Sequence, residues 1–255
     1  MTFVRTHLPC NDCGSSDGLA INDDGWSHCF VCEERKKADR AVEDSFNAYK
    51  EDFVEAKQLE VAHENYITII ERGISSDTAK AYKCSKDSST NTYHFNYTNS
   101  YGGVIASKTR TPDKHFSIAG DWKSAGLYGQ HLFSKGGKFV TITEGEFDAM
   151  SAYQMLGSKF PVVSIRNGSS AAAKDVRNHY EWLDSFDNIV ICFDADDAGQ
   201  KAASQVAEMF GSKAKIFKHL DGMKDACDYL QNKNMKEFSE KWWASEQHVP
   251  DGIIV

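Results

Sequence analysis

An α/β chain, in which a parallel sheet follows an α+β basic segment and a separate small four-cysteine module, is predicted by three observations. From Lys138 onward, strand-sized apolar runs alternate with helix-length segments. That alternation implies right-handed crossovers and parallel strands. Between Thr92 and Arg110 the residues alternate and are rich in aromatics (Tyr93, Phe95, Tyr97), with Gly102-Gly103 as a turn, the pattern of a β-hairpin. Ahead of both stand two Cys-x2-Cys pairs, in a stretch too poor in apolar residues to build a core unaided.

Taken in order, residues 1–36 form the cysteine module. Residues 37–54 are charge-dense, with Glu33-Glu34-Arg35-Lys36-Lys37 at their head, and read as a solvated linker. The segment 55–137 begins the globular part: Ser75 or Ser76 caps a short helix through Tyr82, and the hairpin follows. The segment 138–241 carries strands at Lys138–Thr143, Phe160–Ile165, Asn188–Phe193 and Lys213–Leu220. Helices are expected at Glu146–Leu156, Ala171–Phe186, Asp197–Phe210 and near Ala226–Gln231. Residues 242–255 read as a tail or the start of a linker.

Composition bounds the function. The chain has 255 residues, 41% hydrophobic and 26% charged, as a soluble globular protein has. No apolar run approaches the roughly 20 residues that span a bilayer, and the N-terminus lacks a signal-peptide pattern, so a cytoplasmic protein without a membrane partner is expected. A net charge of −8 argues against a general nucleic-acid coat, but the charge is segregated. Residues 101–138 hold six Lys/Arg against two acids, whereas 181–255 hold eight lysines against fourteen acids. Of seven cysteines, Cys84, Cys192 and Cys227 are scattered and read as small buried apolar residues.

Cys10-x2-Cys13 and Cys29-x2-Cys32, with fifteen residues between the pairs, have the spacing of a four-cysteine zinc ribbon. Four thiolates close a tetrahedral shell, so one structural zinc is expected, with an iron–sulfur centre the rival. The ribbon is a structural staple, a protein-binding knob, or a reader of single-stranded template. For the last role Asp24, Trp26 and His28 lie in the segment leading to the second pair, where an aromatic can stack on a base and polar groups can meet its edge.

The second constellation is acidic. Strand one ends in Glu144-Gly145-Glu146-x-Asp148 and strand three in Asp194-Ala195-Asp196-Asp197. Both fall at the carboxyl edge of a parallel sheet, where ligands bind, and Asp225 follows the fourth strand. Carboxylates crowded together raise one another's pKa unless cations join them. One or two Mg²⁺ or Mn²⁺ ions resolve this, and two ions about 4 Å apart suit in-line nucleotidyl transfer. For Glu146 and Asp197 a solvated helix N-terminus is an equal alternative. Lys108, Arg110, Lys114 and His115, set among Tyr101, Phe116 and Trp122, suit a groove for single strand and triphosphate, or form an ordinary solvated hairpin face.

Glu144-Gly145-x-x-Asp148 with Asp194-x-Asp196 resembles the TOPRIM signature of DnaG-type primases, type IA topoisomerases and some nucleases. The whole order resembles the primase half of T-seven-like phage primase–helicases. There a four-cysteine ribbon precedes segments like Arg72-Gly73-Ile74-Ser75, Ser107-Lys108-x-Arg110, Asp113-Lys114-x-Phe116 and Leu127-Tyr128-Gly129. The resemblance covers nearly the full chain. It implies a TOPRIM-like fold and catalytic metal binding by Glu144, Asp194, Asp196 and Asp225. It also implies nucleotide or template contacts by Lys108, Arg110, Lys114 and Lys123. The implied activity is DNA primase: short RNA primers made from NTPs on a single-stranded DNA template. A replicative helicase (fused or separate) and a DNA polymerase are the implied protein partners, in host-cell cytoplasm. Trp26 stands where the relatives carry histidine, and Arg166-Asn167-Gly168 replaces a Gly-His-Gly-like loop. No GxxxxGK[ST] loop occurs, so these residues are not themselves a helicase. The alternatives are a TOPRIM nuclease and a non-catalytic zinc/TOPRIM scaffold of recombination.

Overall fold

The computed structural model describes residues 3–8, 10, 12–15, 18–22, 26–37, 65–99 and 102–248. Two compact units divide at Lys57/Gln58. Asp24 and residues 38–54 of the expected linker lie outside the described residues.

The first unit is a four-stranded antiparallel sheet in the order β1 (Phe3–Leu8), β2 (Leu19–Asn22), β3 (Trp26–Cys29) and β4 (Arg35–Lys37). Among the described residues its buried side chains include Cys10, Ala20, Ile21 and Cys29, so two of the four cysteines lie within the sheet's own core.

The second unit opens on helix α1 (Ser76–Ala81), whose N-cap Ser75 accepts from the Thr78 amide. An antiparallel meander follows: β5 (Cys84–Asp87), β6 (Thr92–Thr98), β7 (Val104–Arg110) and β8 (Phe116–Gly120). The hairpin turns at Asn99–Gly103, where the Asn99 amide donates to the Gly103 carbonyl. Strand β8 is exposed at all five residues and forms the edge of the sheet.

The remaining sheet has the order β10-β9-β11-β12-β13, from β9 (Gly137–Thr143), β10 (Val162–Ser164), β11 (Phe186–Cys192), β12 (Ala214–Ile216) and β13 (Glu246–Gln247). All pairs are parallel except β12–β13. Strand β11 shows why its run is continuously apolar. Ile189 and Ile191 pack on one face with Val176, Val206 and Phe210, while Val190 and Cys192 pack on the other with Met150 and Phe238. A strand covered on both sides needs no polar alternation. The helices are α2 (Glu146–Met155), α3 (Ala172–Asn178), α4 (Tyr180–Leu183), α5 (Asp197–Phe210), α6 (Ala226–Gln231) and α7 (Met235–Trp243).

Three expectations need correction. The helix expected over Ala171–Phe186 is broken at His179 and gives way to β11 at Phe186. The fourth strand is only Ala214–Ile216 and leads into a loop. Trp242 opens no tail: it lies buried in the last turn of α7, its indole N–H donates to Thr141 Oγ1 at 2.9 Å, and β13 then pairs with β12. Phe238 and Trp242, one helical turn apart and both buried, carry that helix onto the sheet.

Candidate active site and metal centres

The cysteine pairs meet in the first unit. Sγ of Cys10 lies 3.9 Å from Sγ of Cys32, and Sγ of Cys13 lies 3.7 Å from Sγ of Cys29. All four sulfurs fall within 4.8 Å of one another. A tetrahedron with Zn–S bonds of about 2.3 Å has edges of about 3.8 Å, so this spacing suits zinc. Each pair sits on a turn: the Gly14 amide donates to the Cys10 carbonyl, and the Cys29 amide to Glu34. Trp26 and His28 alternate with buried Ser27 and Cys29 and so share the outer face of β3. Trp26 is 40% exposed, and the Arg35 guanidinium lies 5.7 Å from its ring centre.

In the second unit, strand register brings the acids together. Thr143 pairs with both Ser164 and Cys192, so β9 and β11 end level and release Glu144 and Asp194 at one edge. The Ala195 amide donates to the Lys224 carbonyl at 2.8 Å, drawing in the loop that carries Asp225. Gly199 lets the first turn of α5 pass close to Asp194, because a Cβ there would overlap the Asp194 carbonyl oxygen. Glu144, Asp148, Asp194 and Asp225 all line a groove of about 600 Å³.

Electrostatics record how close these acids are. Burial, then the charges of Glu144 and Asp225, push Asp194 up to about 6, against the pull of Lys224, whose Nζ lies 3.5 Å from it. Burial, then Asp225 and Asp194, raise Asp148 well above the ordinary carboxylate range; its one amide donor, from Cys227, is 3.0 Å away. Glu144 has one oxygen held by the Ser169 amide at 3.0 Å, while Oε2 is buried with no partner among the described residues. An orphaned carboxylate oxygen beside acids that resist ionising fits a divalent cation. Among the described residues only the four cysteines offer three or more ligand atoms within 4.8 Å of one another. The acids are more open, which suits a magnesium-type ion that keeps waters and substrate phosphates in its shell.

Asp196 departs from the expectation. It is exposed and caps α5, its Oδ1 accepting from the Gly199 amide at 2.8 Å, and it is not among the residues lining the groove. The strand β11 ends at Cys192 and α5 begins at Asp197, so Asp196 already lies where the backbone enters the helix. Its charge still reaches Lys224. Glu146 also differs from both readings given to it. It is buried on α2, paired at 2.7 Å with Lys108 Nζ and accepting from Tyr97 Oη at 2.6 Å.

Lys108, Arg110 and Lys114 line the same groove, whereas Lys123 is exposed and does not. Arg110 stacks 5.3 Å from the Phe147 ring centre. Arg72, not singled out as a site residue from the sequence, stacks 4.8 Å from the same ring and donates to Cys227 Sγ at 3.6 Å. Asp148 was visible only as a motif position. Its burial and its coupling to Asp194 and Asp225 arise from tertiary packing. The geometry thus places a cluster of acids opposite cations within one open cleft, an arrangement that can hold a metal-bound polyphosphate.

Residues 141–230 match the Toprim-like family model. Over 256 residues the chain is 33% identical to the DNA helicase/primase of Enterobacteria phage T3, covering 97% of this chain and 45% of that protein. It therefore spans a little under half the length of that curated relative. The crystal structure of the primase fragment of the bacteriophage T7 primase-helicase protein superposes with a TM-score of 0.66 at 32% identity, covering 95% of this chain and all of the fragment. A chain from the bacteriophage T7 lagging-strand DNA polymerase structure, which includes primase domains bound to an RNA/DNA hybrid and dTTP, gives the same TM-score and identity. It covers 72% of this chain and 94% of its own length.

Proposed function

The chain belongs to the primase family of T7-type phage primase–helicases, and on that premise we propose that it is a template-directed RNA polymerase making short primers from NTPs on single-stranded DNA. The observation that carries this reading is the groove where Glu144, Asp148, Asp194 and Asp225 face Lys108, Arg110 and Lys114.

Glu144, Asp194 and Asp225, with Asp148 behind them, are the residues that would hold Mg²⁺ or Mn²⁺. When bound, such ions would supply charge neutralisation at the triphosphate and activation of the attacking 3′-hydroxyl. Lys114 and Arg110 draw the anionic substrate into the groove, and Arg72 and Arg110 are both braced for that contact against the Phe147 ring. Lys108 is held rigid by Glu146 and contributes a fixed positive charge at the cleft wall. Catalysis then rests on positioning and a preorganised field, with no covalent intermediate on the protein. Asp196 joins the metal set if its free oxygen turns inward when ions bind.

One zinc ion on Cys10, Cys13, Cys29 and Cys32 would keep the ribbon folded. Trp26 and His28, with Asp24, are the residues that would meet template bases. The T3 relative is named as both helicase and primase, and the T7 structure includes a DNA polymerase interacting with primase domains. By analogy we assign a helicase, fused or separate, and a polymerase as partners here. No helix among the described residues is long and apolar enough to cross a membrane, and the host cytoplasm is the assigned site of action.

Incubation with short single-stranded DNA templates, NTPs and Mg²⁺ tests the reading. Template-dependent oligoribonucleotides are expected, absent with Glu144→Gln. Cleavage of the DNA without RNA synthesis would favour the nuclease alternative, and DNA binding with neither would favour the scaffold.

A further inference from the structure

In the turn between β10 and α3, Arg166-Asn167-Gly168-Ser169, the first three residues line the groove with Glu144, so the cation of Arg166 invites assignment as a phosphate ligand. The geometry opposes that. Arg166 is only 6% exposed, and its side-chain donors point inward. Nε and Nη2 reach Asp175 Oδ1 at 3.3 and 3.1 Å, and Nη1 reaches the carbonyls of Trp122 and Ala125 at 2.8 and 2.9 Å. Asp175, 1% exposed on α3, also accepts from the Arg166 amide at 2.8 Å and from Asn167 Nδ2 at 3.3 Å. One buried carboxylate therefore fastens the whole turn.

The outward-facing groups of the turn then act on the two sides of the groove. The Arg166 carbonyl accepts from Lys108 Nζ at 3.1 Å. The Ser169 amide donates to Glu144 Oε1 at 3.0 Å, which leaves the buried, partnerless Oε2 as the free lobe. Gly168 has φ +72° between them, a backbone state that a side chain would strain. Glu144 is thus aimed by the Ser169 amide, whose position is set by Asp175, six residues further along the chain.

We infer that Asp175 is a positioning residue: through the Arg166–Ser169 turn it orients Glu144 for a divalent cation and Lys108 for the cleft wall. This rests on the metal-binding role proposed for Glu144. It assigns Arg166 to the scaffold and removes it from the substrate contacts. Groups that orient a metal ligand typically change metal affinity or activity by about 10–100-fold when lost.

The test is Mn²⁺ binding to the zinc-loaded full chain, followed by electron paramagnetic resonance, so that no turnover is needed. Asp175→Asn should weaken Mn²⁺ binding by about tenfold or more. Because that change leaves the Arg166 charge buried and unpaired, it can compromise folding. Arg166→Met/Asp175→Leu removes both charges with similar volume and should remain folded by circular dichroism while showing the same weakening. In a Glu144→Gln background these changes should alter Mn²⁺ affinity by less than about twofold, since the ligand they aim is already gone. A folded double variant that binds Mn²⁺ like the parent would overturn the inference, as would undiminished weakening in the Glu144→Gln background. Absence of primer synthesis by a parent chain that binds Mn²⁺ would instead sink the proposed activity and leave this result standing.

Discussion

The four thiolates of the first unit and the carboxylates of the second are two answers to the same problem of holding a cation. The thiolates lie 3.7–3.9 Å apart in pairs and come from turns close in sequence, so they complete a shell with protein atoms alone. The carboxylates come from the ends of two strands, a helix N-cap and a helix, stand further apart, and leave one oxygen of Glu144 without a partner among the described residues. A closed shell stabilises a fold, whereas an open one leaves coordination positions for substrate. Removing metal from the two places should therefore have opposite consequences.

The largest effect is expected at the ribbon. Chelation or Cys29→Ser should unfold residues 10–37, because structural zinc contributes on the order of 10 kcal/mol to such modules. NMR would show loss of dispersed signals there, with the second unit's melting unchanged. Loss of stability spread over both units would contradict the division of roles. At the groove, metal removal should leave the fold intact. There the sensitive change is Lys108→Ala, which strands Glu146 as a buried, unpaired carboxylate and should cost about 3 kcal/mol in urea unfolding. If Glu146 were merely solvated, the cost would be below about 1 kcal/mol.

The pH dependence sharpens the contrast. Asp194 is raised from 3.8 to about 6 in the folded protein, so without metal its contribution to stability is fully present below about pH 4 and falls as pH rises through 6. Partial exposure limits the effect to at most about 2 kcal/mol. Mg²⁺ should accordingly raise Tm more at pH 7.5 than at pH 5, and an equal rise at both would count against Asp194 as a ligand. The smallest effect concerns Asp196. As a helix cap, Asp196→Ala should cost about 1 kcal/mol and Asp196→Asn almost nothing. A loss of primer synthesis beyond about tenfold in the stable Asp196→Asn chain would place it in the metal shell as well.

The same contrast explains what the sequence disclosed. The Cys-x2-Cys spacing fixes both partners of each knuckle locally, and Glu144 and Asp194 stand where strand-sized runs end, so both clusters are legible in the sequence. Asp225 was visible only as an acid after a fourth strand. What sequence pattern could not show depends on burial by distant segments. Glu146 looks like any acid at a helix start until Tyr97 and Lys108 close over it. Asp175 looks like a surface residue of an amphipathic helix, yet it is buried against Arg166. Trp242 reads as the start of a tail until its burial with Phe238 on one face of α7 is seen. Asp196 stands at the N-cap of α5, a local role legible from its place just ahead of a helix.

The most direct test of the account is anomalous diffraction from crystals grown with Mn²⁺ and a nucleoside triphosphate. A manganese peak is expected in the groove within about 2–2.5 Å of carboxylate oxygens from both Glu144 and Asp194. Manganese held elsewhere, with Glu144 turned away from Asp194 and the triphosphate outside the groove, would contradict it.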